Sequence, residues 1–380
     1  MEHNIDDALP VSPSVIKWAR QRAGFSAEDA EKSFKKIAAW EAGLSFPSYP
    51  QLEQMGEKFK CPVAVFFFPE PPDMPSVEKS FRTLTAQDFE KIPRTVRGFL
   101  RKGQAMQLNL AELNDGKNPA ARLITRDLKF QTNTSLDGIA NSIRTYLGIS
   151  LQEQSSWNTV EIALEKWRDA FASVGIYVFK DAFQANEYFG FCLWDDEFPI
   201  IYINNSCAKS RQIFTLFHEL WHLLFHTSGI DISGAGNTQH LKNNEQKVEI
   251  VCNQLAARFL IPEDDFAKLL VGKPANRATA ELLAKHFNVS REAIYRKLLD
   301  RDRIDASEYE AASIFWTGQI KRNSSQGNYY NSQISYLGSN YINLALKRYY
   351  QRRFDEVKLS DYLNIKPKNL PAFELKYGGG

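Results

Sequence analysis

The segment FTLFHELWHLLFH, residues 214–226, constrains the fold more than any other part of the chain. Its histidines His218 and His222 are four positions apart, and in an α-helix this spacing separates two side chains by only about 40° around the axis. The positions between and around them are mostly apolar, as in a helix that packs against a sheet. The segment therefore predicts a buried helix whose two imidazoles face the same way and can share one metal ion.

These residue types also indicate a chemistry. Neutral imidazoles suit Zn²⁺, and a catalytic zinc site takes three protein ligands and leaves a fourth position for water. Glu219 lies beside the first histidine, where its carboxylate can accept a proton from that water as a general base. We expect one Zn²⁺ ion at His218 and His222, with Glu219 as the catalytic residue.

The third ligand is expected from a second predicted helix, about residues 244–259, which contains VEIVCNQLAARFLIP. Glu249 is the candidate, because a carboxylate in this apolar helix is costly unless it is paired or bound to a metal. His226 and His240 are alternatives, but His226 lies one turn too far along the first helix and is better interpreted as a supporting or surface histidine. The segment between the two helices, SGIDISGAGNTQH, is rich in Gly, Ser and Asn and is predicted as a loop, and it contains His240. Glu245 is close to the start of the second helix, where the helix dipole explains an acidic residue.

Three further residues lie near these helices in the sequence. Tyr202 and Arg211 can orient a substrate or polarise its carbonyl group. Simple packing or a surface charge explains both residues at least as well. Cys252 follows Glu249 by one turn, and a small buried core residue is the favoured interpretation over a redox role or one beside the metal.

The predicted fold class is α+β, mainly α, and the 380 residues are more than one core usually serves. The short β-branched and aromatic segments GIYVFK, EYFGFCLWDDEF and PIIYINN predict a small sheet directly before a helix at about residues 209–227. A peptide substrate is expected to pair with an exposed edge of the strands from Phe189 to Asn204. We divide the chain into a small helical domain, a helical linker region, a zincin-like metallopeptidase core and a helical C-terminal extension, at residues 1–72, 73–170, 171–270 and 271–380.

Composition excludes several classes of protein. Lys plus Arg is 47 and Asp plus Glu is 45, so the net charge of +2 gives no general attraction to nucleic acid or to an anionic membrane. The four cysteines are far apart and form no CxxC pair, which argues against a disulfide framework and against a cysteine zinc site. The N-terminus has no apolar signal segment, and no apolar run is long enough for a membrane span. We expect a soluble cytoplasmic protein.

These segments together resemble the ImmA/IrrE family of metallopeptidases. The likeness lies in GFCLWDDEFPIIYINN, RQIFTLFHELWHLLFH and VEIVCNQLAARFLIPE, which occur in this order and at similar spacing. The resemblance implies that His218, His222 and Glu249 bind zinc and that Glu219 is the catalytic acid and base. Members of this family typically cleave a transcriptional repressor, often one encoded nearby, and so release genes for stress response, mobile-element induction or toxin–antitoxin control.

The N-terminal segments WARQRAGFS, WEAGLSFPSYPQLEQMGEKF and PVAVFFFPEPP, continued by SFR at Ser80 to Arg82, resemble the XRE-type helix-turn-helix module of longer family members. VSREAIYRKLL and the tail GNYYNSQISYLGSNYINLAL are similar to the C-terminal extension of that family. The segment RATAELLAKHFNVSREAIYRKLLDRDRI, which begins at residue 277, predicts a two-helix, helix-turn-helix-like unit in this extension, with its turn at Asn288 to Ser290. Between Ser26 and Trp40, however, the chain is about four residues shorter than an ordinary XRE module, which argues against DNA reading. Three candidate phosphate contacts lie there, and a solvated helix face is the favoured interpretation: Lys32, Lys35 and Lys36.

Two other functions are compatible with the sequence. One is a DNA-binding transcriptional regulator whose metal domain senses a signal or is idle. The other is an antitoxin-like partner in which zinc only stabilises the fold. The N-terminal module can also recognise a protein partner, such as the substrate, and the sequence specifies neither that substrate nor the oligomeric state.

Overall fold

The computed structural model describes residues 8–59, 61–72, 92–130, 134–185, 187–232, 243–318 and 328–378. These residues form two compact units. The first contains the described residues up to 72 together with 92–98, and the second contains those from 99 to 378. SFR at Ser80 to Arg82 lies outside the described residues.

The first unit consists of short helices around a small apolar core. Ser26 caps one of them, because its hydroxyl oxygen accepts a hydrogen bond from the amide of Asp29 at 3.0 Å. Trp40, Phe59 and Phe66 are among its buried residues. Its helices are α1 (Pro13–Arg22), α2 (Ala27–Glu31), α3 (Ile37–Glu41) and α4 (Tyr49–Phe59), followed by a 3₁₀ helix (Val63–Phe67).

The region that the sequence marks as shortened contains the two shortest of these helices. Helices α2 and α3 have five residues each. Lys32, Lys35 and Lys36 are exposed, and Lys32 forms an ion pair with Asp29 at 2.9 Å. These positions fit a solvated face.

The second unit contains a small sheet surrounded by helices. Helix α5 (Arg94–Leu113) contributes its residues from Phe99 onward. The following helices are α6 (Ile124–Asp127), α7 (Leu136–Leu147), α8 (Leu151–Ser156), α9 (Val160–Ser173), α10 (Lys209–Leu224), α11 (Asn243–Leu260), α12 (Glu263–Leu270), α13 (Arg277–Phe287), α14 (Arg291–Leu299), α15 (Ala306–Gly318), α16 (Tyr329–Leu337), α17 (Ser339–Tyr350), α18 (Glu356–Leu363) and α19 (Leu370–Gly378), with a 3₁₀ turn (Pro367–Asn369) before the last.

The sheet has four strands in the order β1–β3–β2–β4. Strand β3 pairs parallel to β1 and antiparallel to β2, and β4 pairs antiparallel to β2. The strands are β1 (Tyr177–Asp181), β2 (Tyr188–Leu193), β3 (Ile200–Asn204) and β4 (Ile230–Ile232). The first three occupy the segments that the alternating β-branched and aromatic residues predict.

Strand β4 corrects two expectations. It lies in the Gly- and Ser-containing segment after α10 that the sequence indicates as loop, and it pairs with β2 on the side away from β3. Strands β2 and β3 therefore each have two neighbours, and the sheet edge expected between Phe189 and Asn204 is not exposed. Among the described residues, β1 and β4 are the outer strands.

One apolar core joins helices from most of the second unit to one face of the sheet. Trp167 of α9, Phe217 of α10 and Phe259 of α11 meet at its centre, and the rings of Phe217 and Phe259 stack at 4.2 Å. The same core extends to Trp316 of α15. The segments that we divide into linker, metallopeptidase core and extension thus share one interior in the structure.

The predicted fold class, α+β and mainly α, is confirmed. The two-helix unit predicted after residue 277 is present as α13 and α14, which meet at Asn288, a residue in the left-handed conformation with φ +55°. Within the described residues, we find no helix with the length and apolar character that a membrane span needs.

Candidate metal centre

Helix α10 carries both histidines of the motif and is buried along most of its length. Every residue from Thr215 to Leu224 is buried, because the helix packs on the sheet on one side and against α9 and α11 on others. His218 is 1% exposed and His222 is 3% exposed. The polar groups of this helix therefore have to find partners within the protein or hold a ligand.

The two imidazoles converge as the four-residue spacing predicts. The Nε2 atoms of His218 and His222 lie 3.2 Å apart. The Glu249 carboxylate completes the group, with Oε2 at 3.2 Å from the first of these atoms and Oε1 at 3.1 Å from the second. Helix α11 presents this carboxylate, as the predicted second helix requires.

The dimensions of this group suit a small divalent ion. One donor atom from each of His218, His222 and Glu249 lies within 4.8 Å of the others. Ligands placed at zinc-like distances of about 2.0–2.2 Å around a tetrahedral ion are separated from one another by roughly 3.3–3.6 Å. Two imidazole nitrogens and one carboxylate oxygen are also a donor set that catalytic zinc sites use. The residues therefore fit the metal that the sequence predicts.

Glycine allows one of these rings to lie close to the sheet. A Cβ atom on Gly229 would lie 2.6 Å from the ring of His222. The backbone of Gly229 also pairs with Cys192 of β2, whose amide donates to the Gly229 carbonyl oxygen at 3.0 Å. A larger residue at position 229 would displace either the strand or the ring.

Glu219 lies next to the first histidine and is completely buried. Among the described residues, neither of its carboxylate oxygens accepts a hydrogen bond of acceptable geometry, although the Cys192 thiol lies close to it. Burial raises the pKa of Glu219, and the neighbouring His222 and His218 only partly oppose this. A buried carboxylate with an elevated pKa and an open hydrogen-bonding capacity is suited to accept and return a proton.

The three candidate ligands shift one another's pKa values. Burial alone would raise the pKa of Glu249, but hydrogen bonds from the two histidines keep this pKa far below its usual value. Burial lowers the pKa of His222, and Cys252 and Glu249 together raise it well above its usual value. Cys252 is buried in contact with His222, so it is both a core residue, as favoured, and a neighbour of the metal centre.

Arg211 lies on α10, about two turns before His218, and it is held by the sheet edge. Its guanidinium Nη2 donates to both carboxylate oxygens of Asp231 in β4 at 2.9 Å, and it lies 3.7 Å from the ring centroid of Phe189. The Thr215 hydroxyl donates to the same Asp231 carboxylate at 2.8 Å. These contacts fix β4 against the helix, and they give Arg211 a structural partner.

Tyr202 is not brought to the metal centre. Side chains alternate along a strand, and its neighbours Ile201 and Ile203 face the core that contains α10, so Tyr202 faces the opposite side of the sheet. There its ring stacks on Phe191 and its hydroxyl donates to Asp181 at 2.8 Å. The packing interpretation fits this position, and the structure gives no support to a contact with substrate at the metal.

Of the alternative ligands, His226 is the one whose side chain lies within the described residues. Helix α10 ends at Leu224, and His226 has a left-handed backbone with φ +56°. The Nε2 atom of His226 lies 3.1 Å from the Thr125 carbonyl oxygen, and its ring stacks on Trp194. His240 and the side chain of Glu245 lie outside the described residues.

Asn253 is a neighbour of this site that the sequence pattern did not single out. Its Oδ1 atom lies 3.1 Å from Nδ1 of His218. The signal that identifies it is the spacing, because Asn253 follows Glu249 by four residues and a helix places both on one face. Asp231 was overlooked for another reason, since the short strand that carries it was interpreted as loop.

The fold and this site define a class of protein: an α+β domain in which His218, His222 and Glu249 form a donor set that fits one metal ion. Residues 171–299 match the model of the IrrE N-terminal-like domain of the peptidase M78 family. The family agrees with the resemblance to ImmA/IrrE metallopeptidases.

Two curated relatives are similar to the chain over part of its length. Both are radiation response metalloproteases IrrE, one from Deinococcus radiodurans and one from Deinococcus deserti. The first is 37% identical over 98 residues, which is 26% of this chain and 30% of the relative. The second is 34% identical over 109 residues, or 28% of this chain and 38% of the relative. The chain thus matches less than two fifths of the length of either relative.

Proposed function

We propose that the protein is a zinc endopeptidase that cleaves a regulatory protein, in particular a transcriptional repressor, and so releases the genes that this repressor controls. The observation that carries the proposal is the convergence of His218, His222 and Glu249 beside the buried carboxylate of Glu219. The peptidase family of residues 171–299 supports the reaction class. The ImmA/IrrE resemblance supports a repressor as substrate, and the radiation-response names of the relatives support a role in stress.

In this proposal His218, His222 and Glu249 hold one zinc ion. The metal, when bound, acidifies a water molecule and polarises the peptide carbonyl group. Glu219 accepts the proton of the attacking water and passes it to the nitrogen of the leaving amine. The burial of Glu219 serves this proton transfer. Burial raises the pKa of the carboxylate and so brings its proton affinity closer to that of the attacking water and of the leaving amine.

The substrate is proposed to bind as an extended segment along the outer edge of β4. This strand lies beside α10, to which the contacts of Asp231 with Arg211 and Thr215 hold it. Addition of a strand to an exposed sheet edge supplies backbone hydrogen bonds whatever the side chains of the peptide. Arg211, partly exposed at this edge, is a candidate contact for the substrate.

The test is co-expression with the repressors encoded beside the gene, comparing the native protein with Glu219→Gln. Glutamine has nearly the same shape but cannot accept a proton, so the native protein should produce a repressor fragment that the variant does not. Zinc content, measured on both purified proteins, should be equal. A fragment that appears equally with both proteins would refute the role of Glu219.

Matched controls connect cleavage to regulation. A repressor with a substitution at the cleaved bond should stay intact and keep its target genes silent in the presence of the native protein. Derepression without any cleavage would favour the alternative of a regulator that acts by binding.

A further inference from the structure

The two nitrogens of the His218 ring have different surroundings. Nε2 faces the metal centre, at 3.2 Å from both Glu249 Oε2 and His222 Nε2. Nδ1 lies on the other side of the ring, at 3.1 Å from Oδ1 of Asn253. The ring is thus held between a ligand group and an amide oxygen.

An amide oxygen only accepts hydrogen bonds. The contact with Asn253 therefore requires that Nδ1 of His218 carries the proton. In the neutral imidazole this leaves the lone pair on Nε2, the atom that faces Glu249 and His222. The geometry thus selects the one neutral tautomer of His218 that can bind a metal at this centre.

One helix supplies both the ligand and this support. Glu249 and Asn253 are four residues apart on α11, so they lie on one face, one turn apart. Buried residues of the same helix, including Cys252 and Leu255, anchor it in the core beside α10. Movement of α11 would therefore change the ligand and the supporting contact together.

Asn253 itself is exposed, although the ring that it contacts is 1% exposed. An exposed helical side chain contributes little to the core, and asparagine is only a moderate helix former. Substitution at this position therefore tests the contact with His218 without removing a packed group.

We propose that Asn253 is a positioning residue of the metal centre, which fixes the tautomer and the ring orientation of His218 and so raises the affinity for zinc. It acts through His218, and its own oxygen faces the ring nitrogen. This inference rests on the proposed zinc site but not on the identity of the substrate. Loss of an outer hydrogen-bond partner typically costs about 10–100-fold in metal affinity or activity.

The experiment measures zinc affinity of the full chain by competition with a chelator. Asn253→Ala should bind zinc about 10–100-fold more weakly than the native protein. Asn253→Asp should retain or exceed native affinity, because a carboxylate oxygen also accepts from Nδ1. Gln254→Ala, at the exposed next position on α11, is the matched control and should keep native affinity.

A second measurement reads the tautomer directly. Long-range ¹H–¹⁵N correlation spectra of the zinc-bound native protein should show His218 protonated at Nδ1 and ligated through Nε2. In Asn253→Ala the Nδ1 proton should exchange faster with solvent, and in Asn253→Asp it should again be protected. Circular dichroism of each variant confirms that the fold is kept.

Three results would each overturn the inference. They are native zinc affinity in Asn253→Ala, equal weakening of zinc binding in Gln254→Ala, and ligation of zinc by His218 through Nδ1. The endopeptidase proposal fails differently. If the native protein binds zinc and the affinities follow the expected order, but no repressor is cleaved, the role of Asn253 stands and the proposed reaction does not.

Discussion

Two buried polar groups on opposite faces of the sheet differ in whether they have hydrogen-bond partners. On the face covered by α10, the carboxylate of Glu219 is completely buried, and no described residue gives either oxygen a hydrogen bond of acceptable geometry. On the other face, the Tyr202 hydroxyl donates to Asp181 at 2.8 Å, and Lys102 forms an ion pair with the same carboxylate.

This difference distinguishes a polar group suited to a reaction from a polar group that stabilises the fold. A buried polar group without a partner lowers the stability of the fold, and a chain retains such a group where the group serves a reaction. The Tyr202 hydroxyl donates its proton to Asp181, and a buried hydrogen bond of this kind contributes to stability. Glu219 and Tyr202 can therefore be told apart by whether removing the polar group stabilises or destabilises the protein.

The largest effect is expected from Glu249→Ala, which removes a proposed ligand. Zinc affinity should fall by more than about 100-fold, since a three-ligand site becomes a two-ligand site. Asp181→Asn on the opposite face is the matched control, and its zinc affinity should equal that of the native protein. Equal losses in both variants would mean that the comparison of the two faces is wrong.

Glu219→Gln should make the zinc-free protein more stable. The substitution removes a buried charge, and we expect a gain of about 1–3 kcal/mol in the free energy of unfolding at pH 7. Chemical denaturation of both proteins in the presence of a chelator measures it. A loss of stability would indicate that Glu219 is a structural group like those on the opposite face.

Lys180 extends the comparison of Glu219 with Tyr202. It lies on the α10 side of the sheet, and its buried charge has a partner. It is 1% exposed and pairs with Glu165 at 2.9 Å, yet burial and the nearby Arg168 lower its pKa to about 8. The unfolded chain holds this proton up to about pH 10.4, so it binds more protons than the native state between these values, and stability should rise with pH there.

Lys180→Met should abolish that rise. At pH 7 the variant should be more stable than the native protein by about 1–2 kcal/mol, since Glu165 is half-exposed and tolerates the loss of its partner. Urea denaturation at pH 7 and pH 9.5 gives the difference, which should shrink at the higher pH. A constant difference would assign the effect to packing instead of charge.

The smallest effect is expected from Tyr202→Phe. The variant should lose about 1 kcal/mol of stability, because one buried hydrogen bond to Asp181 disappears while the ion pair with Lys102 remains. Zinc affinity and cleavage should stay at native levels. A loss of cleavage beyond tenfold with zinc retained would restore the predicted role of Tyr202 at the substrate.

Much of the fold near the site was predictable, because it depends on local periodicity. The bounds of α10 and α11 agree with the predicted helices within three residues at each end, and three of the strands lie in the predicted segments. Strand β4 was missed because three residues beside glycine give no periodic signal. Its position depends on pairing with β2, and pairing partners are distant in the sequence.

The candidate site shows the same division. The sequence by itself determined that two imidazoles lie on one helix face and that Glu219 is beside them, because helical geometry is local. It also singled out Glu249, because a carboxylate is costly in an apolar helix. Only the tertiary structure decided that Tyr202 faces away from this centre and that Asn253 and Asp231 belong near it. Contacts between elements depend on how helices and strands pack, and spacing along one element does not fix that packing.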